Sequence, residues 1–182
     1  MTQPIRLSAL VGAPSATFEE PFEMLEACHQ RVQRMLTLLD RLRAHVRGHG
    51  SDTQAQQAAR DVMRYFDLAA PQHHLDEELH VFPPLLAQGD ERVASVVRRL
   101  QQDHLQMESR WQEARRVLAL VCEGAVQRLD EEDEARLDAF AELYGEHIRS
   151  EEEIAYPAAQ GVMDAAGRAA MGEEMMKRRG VK

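Results

Sequence analysis

Cysteine is nearly absent from this chain. Cys28 and Cys122 are the only two in 182 residues, too few for a disulfide framework and without metal-ligand spacing between them. Reduced thiols in a cytoplasmic protein are the expectation. Glycines number 10 and aromatic residues reach only 5%, whereas charged residues make up 29%, a balance that leans toward long amphipathic helices. Positive charge is short as well. With a formal net charge of -9 there is no overall basic field to displace phosphate counterions, so no nucleic-acid partner is expected. Lys177, Arg178, Arg179 and Lys182 form a basic tail, read as a solvated end. No apolar run approaches the length of a bilayer span, and the N-terminus lacks a charged start followed by a long apolar stretch. A soluble protein without a membrane partner follows as the expectation. What is present is a hydrophobic content of 44%, enough for one domain with a real core.

Punctuation along the chain places the helices. Residues 1–17 hold Pro4, Gly12 and Pro14 and read as an extended N-terminal arm. A first helix is expected from Thr17 or Glu20 to about Arg47, with Phe22, Leu25, Val32, Leu36 and Leu39 at three-and-four spacing and Gly48-His-Gly50 as its stop. A second runs from about Asp52 to Ala87, with a kink or short break at Pro71. Asp90 caps a third, which reaches Val121. The acidic run Asp130–Glu134 opens a fourth, where negative charge suits the positive end of the helix dipole; it extends to about Ala159. A weaker C-terminal helix covers Arg168 to Arg178. Short connections between long helices imply an all-α, up-down-up-down four-helix bundle over residues 18–160, followed by a C-terminal helix and basic tail at 161–182.

Two segments spell the same pattern. His73-His-Leu-Asp-Glu77-Glu78-Leu-His-Val-Phe82-Pro83 and His147-Ile-Arg-Ser-Glu151-Glu152-Glu-Ile-Ala-Tyr156-Pro157 both read His-x3-Glu-Glu-x3-aromatic-Pro. A lone histidine, His29 or His104, precedes each copy at nearly the same distance. Around His29 stand Phe22, Leu25, Val32 and Leu36; around His104 stand Val97, Leu100, Met107 and Trp111. Both histidines thus occupy a buried seam position where an aliphatic residue would be expected. Phe66 and Phe140 stand seven residues before His73 and His147 and place these two inward as well.

Burying histidines costs free energy unless both ring nitrogens find partners, and an unpaired buried carboxylate costs more. Bound cations reverse that sign. His73 with Glu77 and His147 with Glu151 are i, i+4 pairs on one helix face. Imidazole suits iron and zinc, and carboxylate can bridge two metals. The expected ligands are His29, His73, Glu77, His104, His147 and Glu151. Glu78 and Glu152 either hydrogen-bond a ligand histidine or face solvent. His74 is set aside because the repeat register prefers His73. Glu108 has no counterpart after His29, and His45, His49 and His80 read as ordinary surface residues.

These residues resemble the hemerythrin-like (HHE cation-binding) family over roughly residues 20–160. The resemblance implies a four-helix bundle around two iron ions, oxo- or hydroxo-bridged, with His29, His73, His104 and His147 as terminal ligands and Glu77 and Glu151 as bridges. Oxygen-carrying members use five histidines, two of them four residues apart on the third helix, where this chain has Glu108 instead. The set of four histidines and two glutamates is more similar to relatives concerned with iron sensing or iron–sulfur cluster repair. The implied function is binding or sensing O2, NO or a related small oxidant such as peroxide. The alternatives are a di-iron oxidoreductase or an iron donor in oxidative and nitrosative stress defence, and a metal-free structural bundle. Iron storage fits less well, since ferritin-like centres use Glu-x-x-His spacing.

Overall fold

A computed structural model describes residues 17–181, and among them there are helices and connections but no strand. The expected N-terminal arm, apart from Thr17, lies outside the described residues. The chain forms four long rods. The first is α1 (Pro21–His49). The second joins α2 (Thr53–Asp76), a π-helical turn π1 (Glu77–Val81) and α3 (Phe82–Ala87). The third is α4 (Glu91–Cys122). The fourth joins α5 (Glu131–Ala141), α6 (Tyr144–Ser150), a second π turn π2 (Glu151–Ala155) and α7 (Tyr156–Val162). A further helix, α8 (Ala165–Arg178), follows.

The ends of these rods follow from local chemistry. Asp52, Asp90, Asp130 and Asp164 each turn a carboxylate back onto the free N–H groups that open a helix. Gly50 ends α1 with φ +73°, a left-handed conformation that glycine adopts at little steric cost. Within the acidic run after Asp130, Glu134 pairs with Arg43 and Arg47 of α1.

Of the kink or short break expected at Pro71, no break occurs. α2 continues through that exposed proline, and the irregularity falls at π1. There Phe82 N–H bonds Glu77 O, five residues back, and in π2 Tyr156 N–H does the same to Glu151 O. The cause is the proline that follows each aromatic residue. Pro83 and Pro157 have no N–H, and in an α-helix their rings would meet the carbonyls of Leu79 and Glu153. A π turn widens the ladder and lets the chain run on. The fourth rod carries one more interruption, at Glu142–Leu143 between α5 and α6.

Packing divides into two apolar clusters. One holds Leu39, Val46, Val62, Phe66, Trp111, Leu118 and Phe140 among others. The other holds Phe22, Leu25, Phe82, Leu85, Leu100, Tyr156 and, from α8, Met171 and Met175. On each rod the boundary falls at the predicted histidine. Leu25 and Val32 flank His29, Ala70 and Val81 flank His73, Leu100 and Met107 flank His104, and Tyr144 and Ala155 flank His147 and Glu151. A polar layer therefore lies between two hydrophobic ones.

Lys177 is exposed as expected of a solvated tail, but the two arginines beside it are not. Arg178 and Arg179 reach Asp76, which is wholly buried, at 2.8 and 2.5 Å. Arg178 also bonds the Gln72 side chain at 3.2 Å and pairs with Glu174 at 2.6 Å. Burial of Asp76 demands these partners. Gly172 lets α8 lie close, since a Cβ there would run into the Phe18 carbonyl oxygen.

Candidate metal centre

All six residues expected as ligands meet in the polar layer. His29, His73, Glu77, His104, His147 and Glu151 are each buried, and both glutamates are wholly inaccessible. The two carboxylates stand in the middle. Glu151 Oε2 lies 3.0 Å from His29 Nε2, and Glu151 Oε1 lies 3.0 Å from His147 Nε2 and 3.7 Å from His104 Nε2. Glu77 Oε1 is 3.3 Å from His73 Nε2, and Glu77 Oε2 is 3.4 Å from His104 Nε2. Each glutamate thus touches histidines of two or more rods.

The second glutamates of the repeat, Glu78 and Glu152, do not simply face solvent. Glu152 lies 2.8 Å from His29 Nδ1, and Glu78 lies 2.9 Å from His104 Nδ1. Consecutive glutamates of one half therefore hold both ring nitrogens of the lone histidine of the other half. Gln101 donates to Glu78 at 2.7 Å and fixes its other oxygen. Asp103 stands 3.3 Å from His147 Nδ1. Carboxylates on the outer nitrogens orient imidazoles and raise their basicity, as in built metal sites.

His74, set aside in the sequence, joins the cluster. Donor atoms of His29, His73, Glu77 and Glu151 all lie within 4.8 Å of one another, and those of His74, His104 and His147 form a second such group. The His74 ring stacks on His104 with centroids 4.1 Å apart. Adjacent helical residues point about 100° apart, and α2 packs against both α1 and α4. His73 therefore faces the first rod and His74 the third. The repeat register alone could not show this, because Ile148, which offers no donor, fills the matching place in the second half. The adjacency of two histidines was the available signal. Elsewhere, Glu108 stays exposed on a cavity wall. His80 pairs with Glu174 of α8 at 2.8 Å, and His45 with Asp52 at 3.0 Å.

The electrostatics favour positive charge in this layer. Burial works against a charge on His29, but Glu151, Glu77 and Glu152 outweigh it and raise the imidazole to about 9. Burial likewise opposes charge on His104, yet Glu151, Glu77 and Glu78 carry it to about 11. His73 and His74 go the other way, pushed well below the ordinary range by burial and by neighbouring imidazoles. Glu77 is raised by burial and by the nearby Glu151 charge. Burial would also raise Glu151, but His147, His104 and His29 hold it well below the carboxylate range.

The donor set fits metal ions. Seven buried side-chain polar atoms among the described residues have no hydrogen-bond partner, and six of them are His73 Nδ1, Glu77 Oε2, His104 Nε2, His147 Nε2 and both oxygens of Glu151. Several stand near one another without hydrogen-bond alignment, an arrangement that is costly unless a shared ion satisfies them. A cavity of about 690 Å³ reaches this layer from between α2 and α4, lined by Phe66, Ala70, Leu75, Leu105 and Trp111 and ending at His74 and His104.

An all-helical chain whose buried middle layer is built of histidine and glutamate donors falls in the class of helical-bundle proteins with a site able to hold metal. This chain belongs to the hemerythrin HHE cation binding domain family, whose domain matches residues 20–159. It is also 30% identical over 168 residues to an uncharacterized protein of Haemophilus influenzae, an alignment that covers 92% of this chain and 94% of that relative.

Proposed function

We propose that the polar layer holds two iron ions and that the protein binds or senses O2, NO or a related small oxidant there. In this reading the four rods form an up-down-up-down bundle. The first and third rods lead from the cluster containing Leu25 and Leu100 toward the cluster containing Val32 and Met107, and the second and fourth return. One ion is held by His29, His73, Glu77 and Glu151. The other is held by His74, His104 and His147, with Glu77 and Glu151 shared between the two. The supporting observation is the set of six buried donor atoms left without hydrogen bonds.

Two carboxylate-bridged irons would supply an open coordination position and two electrons to a small oxidant. The protein's own residues do the rest. Glu78, Glu152 and Asp103 fix the rings of His104, His29 and His147. Phe66, Leu75, Leu105 and Trp111 supply apolar surface to the cavity beside polar Gln101, Glu108 and Gln112, and its size admits a small molecule. A small molecule entering this cavity would therefore approach the layer from the His74–His104 side.

Optical spectra of anaerobically reduced, iron-loaded protein test the reading when O2 or NO is added. A charge-transfer band that reverses on degassing supports binding, whereas autoxidation with steady consumption of peroxide moves the assignment to an oxidoreductase. His147→Ala should lower iron content and His49→Ala should leave it unchanged. Equal loss in both variants, or only trace metal in the loaded wild type, would refute the site.

A further inference from the structure

Besides His74 and Ile148, the two halves of the repeat differ at a second position that faces the cluster. Tyr156 stands where the first half has Phe82. Both rings are buried, and each lies nearly parallel to the lone histidine of the opposite half. Tyr156 and His29 are 5.5 Å apart with planes 8° apart, and Phe82 and His104 are 5.7 Å apart with planes 24° apart. The ring alone therefore suffices for this packing. The hydroxyl of Tyr156 is extra, and a buried hydroxyl is costly without a polar role.

Its partners point to that role. The Tyr156 hydroxyl donates to Glu77 Oε1 and lies 3.2 Å from His29 Nε2. Both belong to the first donor group. Glu152 already occupies His29 Nδ1, so Nε2 is the nitrogen that faces the centre. The spacings are those of one coordination shell. Metal–ligand bonds of about 2.1 Å at right angles separate neighbouring donors by about 3 Å. His29 Nε2 is 3.0 Å from Glu151 Oε2, His73 Nε2 is 3.3 Å from Glu77 Oε1, and the phenolic oxygen stands off His29 by a similar distance.

We propose that Tyr156 is a further ligand, donating its phenolic oxygen to the ion held by His29, His73, Glu77 and Glu151 and to that ion only. The inference rests on the di-iron reading above. On ligation the phenolic O–H bond breaks as the oxygen–iron bond forms, the proton leaves to solvent, and the iron keeps its oxidation state. The two ions then differ in chemistry. One has a hard, oxygen-rich shell that favours the ferric state. The other has three histidines beside the cavity and no phenol.

The test is spectroscopic. The protein is loaded with ferrous iron without oxygen, its iron content is measured, and it is oxidised with ferricyanide. The expected result is a visible phenolate-to-iron(III) charge-transfer band whose resonance Raman spectrum contains tyrosine ring modes that shift with ring-deuterated tyrosine. Tyr156→Phe should still bind two irons and lose the band. Tyr144→Phe, at the other buried tyrosine, should keep both. Should Tyr156→Phe fail to fold, the labelled wild type decides together with Tyr65→Phe and Tyr144→Phe, both of which should retain the tyrosine modes. Wild type with two irons and no tyrosine modes overturns the ligand role and leaves the di-iron reading standing. A band that survives in Tyr156→Phe does the same. Wild type that binds no iron sinks both.

Discussion

Glu78 and Glu152 each hold the outer nitrogen of a histidine supplied by the other half of the repeat, so a change at either should act on metal affinity without removing a donor that faces the centre. Glu78→Gln and Glu152→Gln are expected to weaken iron binding by about 10–100-fold with stoichiometry intact at saturation, measured by competition with a chelator. Unchanged affinity in both would mean that these contacts do not orient the rings. Cys28 belongs to the same scale. Burial pushes its thiol up to about 11, so below that pH the reactive thiolate is a small fraction that rises about tenfold per pH unit. Alkylation of native protein by iodoacetamide, followed by mass spectrometry, should be slow at Cys28 at pH 8 and accelerate toward pH 10. A fast, pH-independent reaction would contradict this environment.

At the scale of elements, the feature with most consequence is the paired π turn. Each begins at the central glutamate and ends just ahead of the aromatic residue that precedes proline. It adds a residue to the helical path, so that consecutive glutamates reach both nitrogens of one imidazole. Replacing Pro83 and Pro157 with alanine restores the missing N–H groups and removes the ring clash, which favours relaxation to α-helix. That relaxation would turn Glu77 and Glu151 relative to the segments beyond them. The double variant should keep its helical circular dichroism while its iron affinity falls at least about tenfold, the lower limit expected when donor orientation is disturbed. Full affinity with full helicity would show that the prolines are incidental. The motif spacing was legible in the sequence, but the π turns were not. Proline after an aromatic residue is equally compatible with a helix start, and only continuity of the rod excludes that reading.

Across the whole molecule, α8 closes the cluster that contains Leu25, Phe82 and Tyr156. Its arginines satisfy Asp76, the residue just before the central Glu77. Asp76→Ala leaves the partly buried Arg179 guanidinium without a carboxylate and Arg178 with Glu174 alone, and should destabilise the fold by about 3 kcal/mol, read from urea denaturation. No change would mean that Arg178 and Arg179 find other partners. Docking of α8 should also respond to acid. The hydrogen bonds from Arg178 and then His80 depress the Glu174 carboxyl to about 2. A depressed carboxyl stabilises the folded state above its unfolded value and loses that contribution as pH falls through the folded one. The difference in urea midpoint between wild type and Glu174→Gln should therefore be present at pH 6, shrink below about 4.5 and vanish near pH 2. A difference that persists at pH 2 would assign the effect to something other than this ionisation.

The amino-acid sequence by itself determined the helical class, the rod that carries each of six buried donors, and the pairing of His73 with Glu77 and His147 with Glu151. Those are local matters. Helical periodicity places residues on a face, and a repeat read twice selects the register. Tertiary structure decided what depends on which rods are neighbours. It put His74 beside His104 and His147, crossed Glu78 and Glu152 onto histidines of the opposite half, and aimed one phenol and not its phenylalanine counterpart at a donor group. It also turned a basic tail into the partner of a buried aspartate. None of these follows from spacing along the chain, because each is a contact between segments far apart in sequence whose geometry exists only once the rods have packed.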